Sequence, residues 1–241
     1  MTLYEAVRRT AALLGVHASR LDKHPSTTML GVRSRPIDLV IDVGANTGQF
    51  AREMRGFFPA AHIVSVEPLP DVYTELAAWA RVDGNATALN MALGSIEGVL
   101  PINNHLDHST SSSLLPTSEE GIAAYPQMIN QRLVEVKIRR LDDVVEELVC
   151  AIGANTMLKL DVQGFEEQVL RGASATLGKV GALLTEVVLD PLYSGQAEFL
   201  ALCQLADAAG LHYAGNYSQI LADDGHVIFL DALFVRRPPQ S

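Results

Sequence analysis

At 241 residues, 48% of them hydrophobic, the chain can bury one substantial core, and its length slightly favours one domain over two. A formal charge of −10 and an isoelectric point near 5.1 argue against a nucleic-acid or anionic-membrane partner, because no basic stripe is present to meet phosphates. No apolar run reaches the roughly 18 residues of an integral membrane segment, no signal-peptide core accompanies Arg8 and Arg9, and Cys150 and Cys203 read as reduced, buried thiols, so the cytoplasm is the expected compartment.

In chain order, Leu3, Ala6, Val7, Thr10, Ala11, Leu13 and Leu14 recur on a helical period and predict an amphipathic helix over residues 2–17. It belongs to an N-terminal helical extension, residues 1–35, that packs on the main domain, makes a homodimer contact or lids the substrate. From residue 36 to 241 strands and helices alternate in one domain. Strands are expected at 38–43, 62–67, 86–92 and 98–102, with helices at 48–57 and 70–82. The polar stretch 103–126 carries five consecutive Ser or Thr from Ser109 to Ser113 and reads as a long loop. Loops of that length are usually functional or mobile. Then follow a strand at 133–138, a helix at 141–149, a strand at 157–161 and a helix at 165–177. A strand at 182–188, a helix at 195–209 and strands at 211–214 and 227–235 complete the chain. Asp223-Asp224-Gly225 is expected to turn the last pair into a hairpin. Repeated βα units imply a mostly parallel sheet with helices on both faces, and the terminal hairpin adds one antiparallel strand.

The chemistry gathers at strand ends. Val40-Ile41-Asp42-Val43 runs into Gly44-Ala45-Asn46-Thr47-Gly48. A dinucleotide fingerprint needs glycines at offsets zero, two and five, whereas here they stand at zero and four. A P-loop is excluded because no Lys-Ser/Thr follows. Acid-x-Gly-x-Asn-x-Gly after a first strand is the S-adenosylmethionine turn of Rossmann-like methyltransferases. Asp42 is expected to meet the methionine ammonium directly or through water, with Gly44, Asn46 and Gly48 admitting the cofactor. Glu67 ends the next strand, where it can accept from both ribose hydroxyls or serve as a helix N-terminal acid. Asn90 falls near the expected adenine edge, as a ligand contact or as a plain turn residue.

Asp161 ends the strand Leu158-Lys159-Leu160, at the crevice where ligands bind in such sheets. Alternation puts Lys159 on the same face, an unusual residue for a buried strand; it acts in the site or neutralises a carboxylate. Glu186 brings a further acid to the rim.

Taken in order, Asp42–Gly48, Val66-Glu67-Pro68, Asn90–Gly94 and Leu158-Lys159-Leu160-Asp161-Val162-Gln163-Gly164-Phe165-Glu166 with Gln168–Ala173 resemble the FkbM-type methyltransferases. The resemblance covers roughly residues 38–235. It implies a Rossmann-like class I methyltransferase fold with a seven-stranded sheet, and S-adenosylmethionine-dependent O-methylation of a sugar hydroxyl in a glycan, glycolipid or secondary metabolite. Many members look to carry Glu where this chain has Gln163.

Methyl transfer to a hydroxyl needs positioning and removal of a proton. Asp161 and Glu186 are candidate bases, or together hold Mg²⁺ that acidifies the hydroxyl. His105 and His108 flank Asp107 in the long loop, with His108 a further candidate base. Ser111 and Ser112 are candidate sugar contacts, and His212, Tyr213, Asn216 and Tyr217 a candidate carbohydrate wall. Two other classes stay open, a nucleotide-binding oxidoreductase and a non-catalytic S-adenosylmethionine-binding protein.

Overall fold

The computed structural model describes residues 2–107, 109–148 and 150–237. Among the described residues ten strands form: β1 Leu39–Val43, β2 His62–Val66, β3 Ala86–Leu89, β4 Ala92–Leu93, β5 Gly98–His105, β6 Gln131–Arg139, β7 Thr156–Leu160, β8 Ala182–Val188, β9 Leu211–Leu221 and β10 Val227–Arg236. The helices are α1 Leu3–Leu13, α2 Pro25–Thr28, α3 Gln49–Phe57, α4 Pro70–Asp83, α5 Glu119–Ala124, α6 Leu141–Val145, α7 Glu166–Arg171, α8 Ser174–Leu177 and α9 Phe199–Ala208.

Seven strands make one sheet in the order β3-β2-β1-β7-β8-β10-β9. Only β10 runs against its neighbours. Alternation within β1 explains the two-sided burial: Leu39, Ile41 and Val43 join the core under α6, α7, α8 and α9, while Val40 faces Ala51 and Met54 of α3. Every residue of β1, β7 and β8 is buried, as a parallel sheet covered on both faces requires. This is the expected architecture.

Several expected elements differ. The strand foreseen at 86–92 is two strands, since the chain leaves the large sheet at Asn90. Its side chain donates to the carbonyls of Glu67 and Pro68, 2.9 and 3.0 Å away, and β4 then pairs with β6 in a second sheet of order β4-β6-β5. The stretch 103–126 is not a plain loop. β5 runs on to His105, a 3-10 turn covers Ser109–Ser111, and Ser118 caps α5 by accepting from Gly121 N–H at 2.8 Å. The helix foreseen at 165–177 breaks into α7 and α8 at Gly172, where an added Cβ would lie 1.9 Å from the carbonyl oxygen of Gly94. Asp142 then caps α8 through the N–H groups of Ala175 and Thr176. The helix foreseen from 195 begins at Phe199, because Gln196 holds the preceding loop by donating to the carbonyls of Val188 and Asp190.

Of the residues before β1, Met29 and Val32 are buried in the core beside α3. No residue of α1 is buried, and Leu3 and Leu13 are 83% and 87% exposed; the amphipathic helix ends at Leu13, earlier than foreseen. Cys150 and Cys203 are free and half-buried.

Candidate active site

The turn after β1 is set by close approach. At Gly44, φ is +75°, and a Cβ there would sit 1.8 Å from the carbonyl oxygen of Asp161, so only glycine lets the turn touch the end of β7. Glu67 latches the same turn. Its Oε2 accepts from Asn46 N–H and its Oε1 from Leu69 N–H, each at 2.9 Å. Burial pushes the Glu67 carboxyl up to about 7, against the pull of those two N–H groups. Asn46 stands in the left-handed region at φ +47°; its Oδ1 accepts from Thr47 N–H and its amide donates to Ser109.

A cavity of about 360 Å³ runs along this turn. Gly44, Ala45, Asn46 and Glu67 line one part of it, and Met91, Ala92 and Leu93 continue the wall. Ser109, Thr110 and Ser112 line it as well, together with Lys159, Asp161, Tyr217 and Asp231. Asn90 is not among its lining residues, its amide being committed to the two carbonyls described above. Gly48 also lies outside the lining and starts α3 at φ +93°.

Asp42 is fully buried and does not line the cavity. β1 and β7 are in a register that sets Asp42 beside Lys159, and the ammonium stands between it and the cavity. Lys159 Nζ lies 3.3 Å from Asp42, 3.3 Å from Asp161 and 3.5 Å from the Gly44 carbonyl. Asp42, expected to meet a ligand ammonium directly or through water, is here paired with the Lys159 ammonium and set back from the cavity lining. Burial works against the charged lysine, yet Asp161 and Asp42 outweigh it and hold its pKa above the ordinary lysine value. Burial raises the pKa of Asp42, partly offset by Lys159. Neither Asp42 oxygen accepts a well-directed hydrogen bond, so the ion pair is its compensation among the described residues.

Beyond Lys159, acids stand side by side across β7, β8 and β10. Glu186 pairs with Asp231 across β8 and β10, and Asp161 follows the last residue of β7. Gln163 joins two of them: its amide nitrogen donates to Asp161 Oδ1 at 2.8 Å and to Glu186 Oε2 at 2.6 Å, while its Oε1 accepts from the Tyr193 hydroxyl at 2.8 Å. Burial, reinforced by Asp161, Glu166 and Asp231, pushes Glu186 well above the ordinary carboxylate range. Asp231 is raised by burial, against a hydrogen bond from Ser218. Glu166 shapes the turn before α7 by accepting from the N–H groups of Val162 and Gly164, and burial carries it to about 7.

The Mg²⁺ considered for Asp161 and Glu186 does not fit this arrangement. Gln163 places N–H donors between the two carboxylates, where a cation would need free oxygens. Among the described residues no three His, Cys, Asp or Glu side chains are grouped to hold a metal.

His105 is fully buried rather than solvated. Its Nδ1 lies 2.7 Å from the Ser111 carbonyl, and its Nε2 lies 3.1 Å from Thr117 Oγ1 and 3.2 Å from Gln131 Oε1. It anchors Ser111 and Thr117 to the start of β6. His108 lies outside the described residues. Of the foreseen carbohydrate wall only Tyr217 reaches the cavity, donating to Glu53 at 2.7 Å. Tyr213 packs edge-on against Phe199 and Phe234, and His212 pairs with Asp207. Asp231, Tyr193 and Glu53 are site residues that sequence reasoning missed. A lone acid inside the apolar run Ile228–Phe234 was a usable signal for Asp231.

A model of the FkbM methyltransferase domain matches residues 42–213. Methyltransferase sdnD of Sordaria araneosa is 29% identical over 155 residues, covering 55% of this chain and 59% of that protein. The 2-O-methyltransferase NoeI of Sinorhizobium fredii is 24% identical over 212 residues, covering 83% and 80%. The crystal structure of a methyltransferase FkbM from Methylobacillus flagellatus, 12% identical, aligns with a TM-score of 0.51 over 82% of this chain and 43% of that one, a likeness of fold. The chain thus spans 59% of the length of sdnD and 43% of that solved structure. The matched segment opens on Asp42, takes in Glu67, the whole of the second sheet, Asp161 and Glu186, and ends within β9; the chain belongs to the FkbM methyltransferase domain family.

Proposed function

We propose that the chain is an S-adenosylmethionine-dependent O-methyltransferase acting on a hydroxyl, as found on a sugar of a glycan, glycolipid or secondary metabolite. The observation that carries this reading is the cavity of about 360 Å³ whose lining joins the glycine turn and Glu67 to Asp161. The names of two relatives support an oxygen acceptor: NoeI is a 2-O-methyltransferase. FkbM of Streptomyces tacrolimicus, 29% identical over 163 residues, is a 31-O-demethyl-FK506 methyltransferase. A cytoplasmic location, supported by two free cysteines, is part of the proposal.

S-adenosylmethionine, when bound, supplies an electrophilic methyl group. The chain's own residues do the rest. The turn from Gly44 to Asn46 approaches the ligand closely, and Glu67 accepts from ribose hydroxyls once ionised. Lys159 fixes one oxygen of Asp161 while Gln163 fixes the other, so the carboxylate is aimed before the acceptor arrives. Asp161 is the base: its side chain is 35% exposed and can take the hydroxyl proton. Burial pushes the Glu186 carboxyl up and Gln163 holds its Oε2, so Asp161 is the more open of the two acids. Calorimetry tests the reading. S-adenosylhomocysteine should bind and NAD should not; binding of NAD alone would favour an oxidoreductase.

A further inference from the structure

The cavity along the glycine turn has a neighbour. A second space of about 260 Å³ opens beyond Asp161 and Gln163, and Thr110, Asp161 and Gln163 line both spaces. We propose that this second cavity is the acceptor subsite and that it takes an uncharged ring bearing the hydroxyl to be methylated. The proposal rests on the methyl-transfer reading of the first cavity.

Geometry gives the first argument. Asp161 stands on the boundary between the two spaces, so a hydroxyl in the second cavity can reach the base and the methyl donor together. The walls give the second. Val188 and Phe229 face one another across β8 and β10, and Met128, Leu192, Tyr125 and Tyr193 close the sides. Apolar and aromatic surface of this kind suits the C–H faces of a ring, while Gln163 and the two acids offer polar partners to its hydroxyl.

Charge sets the class of acceptor. Among the described residues the carboxyl groups lining the second cavity are those of Asp161 and Glu186, and no Lys or Arg lines it. Lys159 lines only the first cavity and is shared between Asp42 and Asp161. A carboxylate, sulfate or phosphate on the acceptor would lose its water against acids with no cation to meet it. A hydroxyl loses little, because it can donate to Asp161. The volume falls below the ~300–1,000 Å³ that encloses a drug-sized ligand. One ring therefore enters, and any larger body extends past exposed Gln127.

Two methionines make the proposal measurable, since Met91 lines the first cavity and Met128 the second. In protein labelled with ¹³C at the methionine methyls, saturating S-adenosylhomocysteine should shift Met91. Added to that complex, cyclohexanol and methyl β-glucoside should shift Met128 at concentrations at least tenfold lower than cyclohexanecarboxylate and methyl glucuronide. Gln127→Arg, at an exposed position, should bring the carboxylate probes close to the neutral ones. No response of Met128 to either neutral probe overturns the subsite. Equal responses to neutral and anionic probes, or discrimination unchanged by Gln127→Arg, overturn the charge argument. Failure of Met91 to respond to S-adenosylhomocysteine overturns the donor reading instead.

Discussion

Lys159 holds a charge almost out of reach of water, and two carboxylates make that possible. Asp42 has no other cation beside it among the ion pairs of the described residues, so removing the ammonium strands a buried acid. Breaking a buried pair in this way costs about 3–5 kcal/mol. Asp161 differs, being 35% exposed and held from a second side by Gln163. Lys159→Met should therefore lower the unfolding free energy by about 3–5 kcal/mol. Asp161→Asn should leave stability nearly unchanged and lower kcat by roughly 10²–10⁴-fold. Denaturant titration and turnover, run side by side on both variants, check this; equal stability of the two would refute the division of roles. Period-two alternation was enough to put Lys159 and Asp161 on one face. The seat of Asp42 behind Lys159 was not legible, because it depends on the β1–β7 register, which no local pattern records. Tyr193 left no signal at all, standing in a loop whose course is fixed by Gln196.

At the scale of elements, the segment after β5 is held by one imidazole. His105 ties β5 to the Ser109–Ser111 turn, to Thr117 and to Gln131 at the start of β6. The structure of this segment was hidden in the sequence because its polar residues bond to one another instead of burying apolar faces. Elements with an apolar face, such as β1, α3 and β8, were readable to within a residue or two. The strand foreseen at 86–92 misled for another reason: its last residues are apolar, but they serve a different sheet. Losing a buried hydrogen-bond partner typically costs about 1–3 kcal/mol. His105→Ala should speed amide exchange through 109–117 while leaving β1 and β7 as protected as before. Hydrogen-exchange mass spectrometry decides it, and uniform loss of protection would mean that His105 supports the whole fold.

For the whole molecule, buried acids give stability and ligand binding opposite dependences on pH. Glu67 and Glu166 both rise to about 7 from an unfolded value near 4.5, so the fold favours their protonated forms. Their contribution is complete below pH 4.5 and is lost as pH rises through 7, on the order of 3 kcal/mol for each. Glu186 and Asp231 are raised as well and act with the same sign. Ribose hydroxyls donate to an ionised Glu67, so affinity for the cofactor product should instead rise over that interval. Between pH 5 and 8 the Tm of the free protein should fall, while the increment given by S-adenosylhomocysteine should grow. An increment constant across that range would detach Glu67 from the ligand.

The reversed strand has a further consequence. β10 follows both of its neighbours in the chain yet lies between them, so β8 keeps an open edge until the last strand has been synthesised. Open edges recruit foreign strands, and a charge pointing inward is one of the devices that discourages them. Glu186 sits on that edge, hydrated and ionised while it waits, and loses its water only when Asp231 arrives opposite. The same carboxylate that borders the second cavity in the folded chain thus guards the nascent sheet against the wrong partner.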